Sequence, residues 1–331
     1  MIFTKGAIFQ FSMLLAVLFI SSCAHKQLDS QTKSKIRTIA VELDLRNPIK
    51  PMLAPYVPFG QGGALGYMLE TNMYEAKKSR YEKKNQKLTD FLQENNIETY
   101  IRKHLTDGIA RTTRYSLVEP KEEIKSIYGA FTKVESKDNS IVDAYLRIKL
   151  EIHLWWDYSL LFLTAEPDMY LVSDGKAVEN IYEGKYQYQS LPIVTEEIIS
   201  VSNGIDPELL NWKRHNDIEF QRILHSARIN SWISNDGQIL IQAIDEAIRE
   251  LSTMFEIEIG KKNSAISNKS EKELLVIKQV WGENNGGFIL KGELVSENND
   301  RYIIRSEFGE LISGSIKMHE SAQQSGIIQE F

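Results

Sequence analysis

The sequence predicts an α/β protein of the α+β kind, in which a mixed sheet is packed by helices and a small C-terminal β-barrel module follows. Three observations lead there. Residues 143–156 alternate apolar and polar side chains over the length of a long strand. Residues 239–255 carry a broad apolar face at helical spacing. Residues 274–317 hold four short apolar runs separated by tight-turn sequences.

From the N-terminal side, Ile36 to Leu45 (IRTIAVELDL) reads as a largely buried strand. Arg46 to Gly66 reads as a loop, because Pro48, Pro51, Pro55 and Pro58 are spaced so that no helix can form. A helical pattern covers Ala64 to Lys84 and ends in cations, which read as a solvated face. A stronger helix spans Lys87 to Thr112, where Leu88, Leu92, Ile97, Ile101, Leu105 and Ile109 advance by four or five residues. Arg114 to Val118 is a short strand, Glu122 to Phe131 a short helix, and Ser136 to Ser140 a loop.

In the long strand, Ala144, Leu146, Ile148, Leu150, Ile152 and Leu154 share one face, and Tyr145, Arg147, Lys149, Glu151, His153 and Trp155 the other. Ser159 to Ala165 and Met169 to Val172 read as separate strands, and Asp174-Gly175 as a hairpin turn into Val178 to Gln189. A loop follows, up to Asn235-Asp236-Gly237. The helix beyond it places Ile239, Leu240, Ala243, Ile244, Ala247, Ile248, Leu251, Met254 and Phe255 on one side. Residues 260–272 (GKKNSAISNKSEK) have linker composition. The four runs after it, Leu274 to Val280, Gly287 to Val295, Arg301 to Ser306 and Leu311 to Lys317, suggest an SH3-like barrel.

The N-terminus carries the most specific signal. One cation, Lys5, precedes the apolar run Met13 to Ile20, which is the length of a secretory h-region and too short to span a bilayer. Ile20-Ser21-Ser22-Cys23 then resembles the lipobox of bacterial lipoproteins, and Cys23 is the only cysteine in the chain. The resemblance implies cleavage before Cys23, a thioether-linked diacylglycerol on its sulfur, an acylated amine, and anchoring at the outer membrane on its periplasmic or outer side. Several acyl chains are needed because each buried CH₂ is worth roughly 0.8 kcal/mol and one chain holds only marginally. The expected organisation is a signal peptide at 1–22, a lipidated cysteine and flexible tether at 23–35, an α/β domain at 36–259, a linker at 260–272, a β domain at 273–319 and a tail at 320–331.

The order of strand, helix, strand, antiparallel strands and helix also resembles, loosely, the TolB N-terminal-like domain of curli-secretion-type envelope lipoproteins. Arg37 to Val41, Tyr115 to Glu119, Asp143 to Leu146 and the Leu171 to Lys176 hairpin carry that likeness. The proline-rich loop and the C-terminal strands depart from it.

Composition narrows the function. Removing the leader takes Lys5 and no acid, so the mature chain is one charge more negative than the full chain's −6. That argues against a nucleic-acid partner. A hydrophobic content of 42% is normal for a protein with a real core, and a chain with one cysteine must fold without an internal disulfide.

No G-x-S-x-G elbow, S-x-x-K or Walker sequence occurs, and no histidine pair stands at zincin spacing. His215, Asp217, Glu219 and His225 hold ligand types, but the segment reads as a polar surface. Gly60 to Gly66 lacks the Lys and Ser/Thr of a phosphate loop. The reading is therefore no catalytic residues, no metal and no cofactor. Met52, Leu53, Tyr56, Val57 and Phe59 are five large apolar groups in an eight-residue stretch of loop. Either this loop folds back over the core, or it contacts a partner or the membrane. The favoured function is a non-enzymatic binding or assembly component of the envelope, whose partner is another envelope protein or a second copy. The alternative is a peptidoglycan- or glycan-binding protein or enzyme, with Trp155, Trp156, Tyr186 and Tyr188 as its stacking groups.

Overall fold

The computed structural model describes residues 26–51, 86–121, 134–154, 158–193, 217–260, 274–280, 287–298, 301–306 and 308–315, with isolated positions between 195 and 213. These residues form a mixed α/β fold. Its strands are β1 (Thr38–Pro51), β2 (Ser116–Val118), β3 (Ala144–Leu154), β4 (Leu161–Ser173), β5 (Lys176–Glu183), β6 (Tyr186–Gln189), β7 (Leu274–Val280), β8 (Gly287–Asn298), β9 (Arg301–Ser306) and β10 (Leu311–Ser315). They make one open sheet in the order β2-β1-β3-β4-β6-β10-β9-β8-β7, and β5 pairs with β4. Helices α1 (Ser30–Lys35), α2 (Ile97–Thr113) and α3 (Ile218–Ile259) accompany it. One apolar cluster joins α2 and α3 to Ile39, Val41 and Leu43 of β1 and to the even-numbered residues of β3, so both helices lie on the same face.

Residues 26–35 depart from the expected flexible tether. Glu183 N donates to the Lys26 carbonyl at 3.2 Å in an antiparallel bridge, and Leu28 and Ile36 are buried in the main cluster. Asp29 caps α1 by accepting from Thr32 N at 2.9 Å.

β1 also runs further than expected, through residues read as loop, and pairs parallel to β3 as far as Pro51↔Leu154 with a register shift between Arg46 and Lys50. Proline is tolerated here because β2 covers the other edge only from Thr38 to Ala40, so past that point β1 is an edge strand among the described residues. Met52 to Gly66 and the helix expected at 64–84 lie outside the described residues, except that the latter's neighbours from Gln86 onward are helical.

The stripe Leu88, Leu92, Ile97, Ile101, Leu105 and Ile109 is buried throughout. Its one step of five, from Leu92 to Ile97, coincides with a break between helical residues 86–94 and α2. Asn96 takes the left-handed conformation there (φ 50°), which Asn accepts more readily than most residues. α2 crosses α3 where Gly108 faces Ser252, and Thr112 Oγ1 donates to the Ser252 carbonyl at 3.0 Å.

α3 consists of two arms joined at Ser234–Gly237, where Asn235, Asp236 and Gly237 are all left-handed. The second arm buries Leu240, Ile244, Ala247, Leu251, Met254 and Phe255, as its spacing predicts. The first arm was expected to be loop. It is a helix that buries Phe220, Leu224, Ala227 and Trp232, and the Trp232 indole donates to the Tyr158 carbonyl at 2.8 Å.

The two strands expected on either side of Pro167 are one strand, β4. Its free edge pairs with β6 over residues 162–165 and with β5 over 168–173, so Pro167 stands where β4 changes partners. The run expected as Val178 to Gln189 is divided correspondingly at Gly184-Lys185. Asp174 (φ 51°) and Gly175 (φ 69°) make the hairpin turn with both residues left-handed.

The last four strands begin where expected, with β8 running three residues further to Asn298, but they form no barrel. β10 pairs parallel with β6 over Leu311↔Tyr186 to Ser313↔Tyr188, so the four strands widen the one open sheet. The parallel seam was invisible in sequence because it joins strands more than 120 residues apart. Arg301 and Arg305 of β9 secure the seam to α3. Arg301 Nη1 lies 3.3 Å from Glu246 Oε1, its Nε donates to Ser313 Oγ at 3.2 Å, and its guanidinium stacks 4.5 Å from the Tyr188 ring centre. Arg305 pairs with the buried Glu258 at 2.5 Å. Arg301 Nε also lies 3.9 Å from Glu250 Oε2, and the four residues of strand from Arg301 to Arg305 and the eight of helix from Glu250 to Glu258 both rise about 12–13 Å, so these two contacts stay level.

Candidate functional site

With α2 and α3 on one face, the opposite face of β1, β3 and β4 is built from the polar half of their alternation. Parallel pairing of β1 with β3 sets Glu42 beside Arg147 and Asp44 beside Lys149. Antiparallel pairing sets Arg147 beside Asp168 and Lys149 beside Glu166. Arg147 Nη2 lies 3.6 Å from Asp44 Oδ2, and Lys149 Nζ lies 3.9 Å from Asp168 Oδ2. Further along, His153 Nε2 is 3.1 Å from Glu151 Oε2. At the near end the Tyr145 hydroxyl donates to Glu42 at 2.8 Å, and its ring stacks on Tyr170 at 6.2 Å.

The environment tunes two of these groups. Burial raises the Asp168 carboxyl above its ordinary range, with Lys149 acting in the opposite direction. Burial, then the bond to Glu42, pushes the Tyr145 hydroxyl well up. The lateral ion pairs are long and partly exposed, so each contributes about 0–1 kcal/mol to folding. Such a surface presents alternating charges at fixed spacing while spending little of the fold's stability on them. Glu42, Asp44 and Asp168 each have a hydroxyl or cation against them, an arrangement that suits charge pairing better than proton transfer.

A groove of about 510 Å³ borders this face along β1, between α2 and the end of β2. Val41, Leu43, Leu117 and Val118 line it together with Arg102, Lys103 and Lys137. Ser116 N donates to the Arg37 carbonyl at 2.9 Å, so odd-numbered residues of β1 turn their backbone groups to this edge. Beyond Ala40, the Leu43 carbonyl receives the Arg102 guanidinium instead of a strand.

Of the residues singled out in sequence, Ile20, Ser21, Ser22, Cys23, Met52, Leu53, Tyr56, Val57 and Phe59 lie outside the described residues, as do Trp155, Trp156 and His215. Tyr186 and Tyr188 are buried on the helix side, where Tyr186 meets Phe255 edge-on at 4.9 Å and Tyr188 donates to Glu246 at 2.7 Å. Neither can stack a sugar. His225 is not on a polar surface. It is buried on the first arm of α3, 5.4 Å from the Tyr158 ring. Asp217 caps that arm through Phe220 N at 3.0 Å, and Glu219 pairs with Arg222. Among the described residues no three His, Cys, Asp or Glu side chains gather to hold a metal ion, and no helix is long and apolar enough to cross a membrane.

The alternation of β3 reveals the polar face in sequence. The contribution of Glu42 and Asp44 does not show there, because it depends on β1 pairing with a strand a hundred residues away.

No protein-family model, curated protein or solved structure matches the chain.

Proposed function

We propose that this chain is a lipid-anchored bacterial envelope protein, held by acyl groups on Cys23 at the outer membrane and facing the periplasm. It acts without catalysis, by binding another envelope protein or a second copy of itself. The leader and the Ile20-Ser21-Ser22-Cys23 sequence support the anchor. The observation that carries the binding role is one-sided layering: among the described residues, helices cover one face of the sheet, and the other carries Asp44, Arg147, Lys149, Glu151 and Asp168 in fixed register. The reading as a cell-wall glycan protein loses Tyr186 and Tyr188, which are buried.

Two measurements test it. Mass spectrometry of the mature N-terminus should find a lipid-modified Cys23, and Cys23→Ser should leave the precursor uncut and unlabelled; an unmodified cysteine refutes the anchor. A photoreactive residue at Glu151 should crosslink to a protein in the membrane, and Lys149→Glu should remove that crosslink. Turnover of cell-wall fragments by the purified protein would refute the non-enzymatic role.

A further inference from the structure

The fixed position of Lys26 changes what the anchor does. A flexible tether running to residue 35 would let the domain roam some 40 Å from its lipidated cysteine. Instead the chain is pinned at Lys26, whose carbonyl accepts from Glu183 N and whose ammonium donates to the Asn180 carbonyl, both on β5. Leu28 and Ile36, one on each side of α1, are sunk in the main core. Only Ala24 and His25 separate Cys23 from this pinned point. Three residue steps of extended chain span at most about 10–11 Å.

We infer that the outer edge of β5, at its Glu183 end, is a membrane-apposed surface whose partner is the bilayer carrying the anchor. This rests on the lipidation of Cys23 proposed above. A leash this short cannot clear the headgroup layer, so Lys26 and the adjoining Gly184-Lys185 turn lie at the lipid surface. The segment behind the leash is cationic, with Lys26, Lys33 and Lys35 against Asp29, which suits a surface of phosphate headgroups. The placement also meets a structural need. Among the described residues β5 pairs with β4 alone, and the Lys26 bridge covers only one position on its other edge. A bilayer beside that edge shields it from strands of other molecules. The charged face of β1, β3 and β4 is thereby held at a set height, with β1 three strand spacings, about 14 Å, from β5.

The test uses the lipidated full chain, purified from bacterial membranes and placed in vesicles containing headgroup-nitroxide lipids. Lipidation consumes the only native thiol, so a single introduced cysteine takes the fluorophore. Gln27→Cys lies beside the leash and is exposed. Ile141→Cys is exposed in the segment bonded to Gly175 through Val134 N, beside the far end of β5, a strand that runs about 23 Å from Lys176 to Glu183. Quenching should be several-fold stronger at position 27 than at position 141. Inserting about twenty Gly-Ser residues between His25 and Lys26, a coil of roughly 25 Å, should bring the two to parity. Equal quenching in the native chain, or a difference that survives the insertion, overturns the inference. Mass spectrometry of the same samples separates this from failure of the anchor, since an unmodified Cys23 overturns the lipoprotein reading itself.

Discussion

Arg301, the first residue of β9, donates from Nη2 to the carbonyl of Gln189, the last residue of β6, at 2.6 Å, although β10 lies between the two strands. The same guanidinium reaches Glu246 on α3 and Ser313 on β10, and Ser313 passes a hydrogen bond to Glu250 at 2.8 Å. One side chain therefore holds three strands and a helix in a single arrangement. It is buried with Gln189, Ser313 and Glu250, so its loss leaves the Glu250 carboxylate buried without its cation.

Arg301→Met should consequently lower unfolding free energy by about 3–5 kcal/mol, the usual cost of removing one partner from a buried pair. Adding Glu250→Gln should recover part of that loss, because a neutral amide can still accept from Ser313 without needing a counter-charge. Urea denaturation of the three proteins measures both. A single mutant within 1 kcal/mol of wild type would mean that the ladder contributes little.

A protease site engineered into residues 260–272 should cut the chain without separating its halves. β6 and β10 pair across the cut, and Arg301 and Arg305 both reach α3. The fragments should elute together in size exclusion and separate after Arg301→Met. Spontaneous separation of the wild-type fragments would show that the seam is too weak to join them.

The α2–α3 crossing predicts an energetic coupling. A Cβ at Gly108 would collide with Ser252 Oγ, which itself donates to the Ile248 carbonyl at 2.7 Å. Alanine at an interior helical position normally gains about 1 kcal/mol over glycine. Gly108→Ala should lose that gain in the wild-type background and regain most of it when Ser252→Ala is present. A double-mutant cycle should return a coupling of about 1 kcal/mol or more, and an additive result would contradict the close approach.

Among the described residues, seven tyrosines are held above the ordinary phenol range. The hydrogen bond to Asp245 raises Tyr100 to about 12, and burial raises Tyr115 to about 12. Burial lifts Tyr182, Tyr186 and Tyr188 further. A raised folded-state value means that the stabilisation is complete below the unfolded pKa near 10 and is lost as pH climbs through 12. Absorbance at 295 nm should show part of the tyrosine signal near pH 10 and the remainder only with alkaline unfolding. A single transition near 10 would contradict the packing of β5 and β6.

The local elements were legible wherever one periodicity ran uninterrupted. The stripe from Leu88 to Ile109, the alternation of Ala144 to Leu154, the Asp174-Gly175 turn and the final four strands are all written in side-chain order. The first arm of α3 was also legible, since Phe220, Leu224, Ala227 and Trp232 keep helical spacing, but the polar residues between them drew the reading toward a surface loop. Proline misled in β1: Pro48 and Pro51 suggested loop, yet both lie where one edge of the strand has no partner strand among the described residues.

By itself, then, the sequence determined the class of fold and supplied the Ile20-Ser21-Ser22-Cys23 motif on which the proposed anchor rests, because each is written in neighbours within one turn, one strand or one short motif. Only the tertiary structure decided that β10 joins β6, that Glu42 and Asp44 meet the charges of β3, and that Lys26 is pinned to β5. Those contacts link residues more than a hundred positions apart. Their partners are chosen by which faces can be buried together, and local pattern carries no record of that choice.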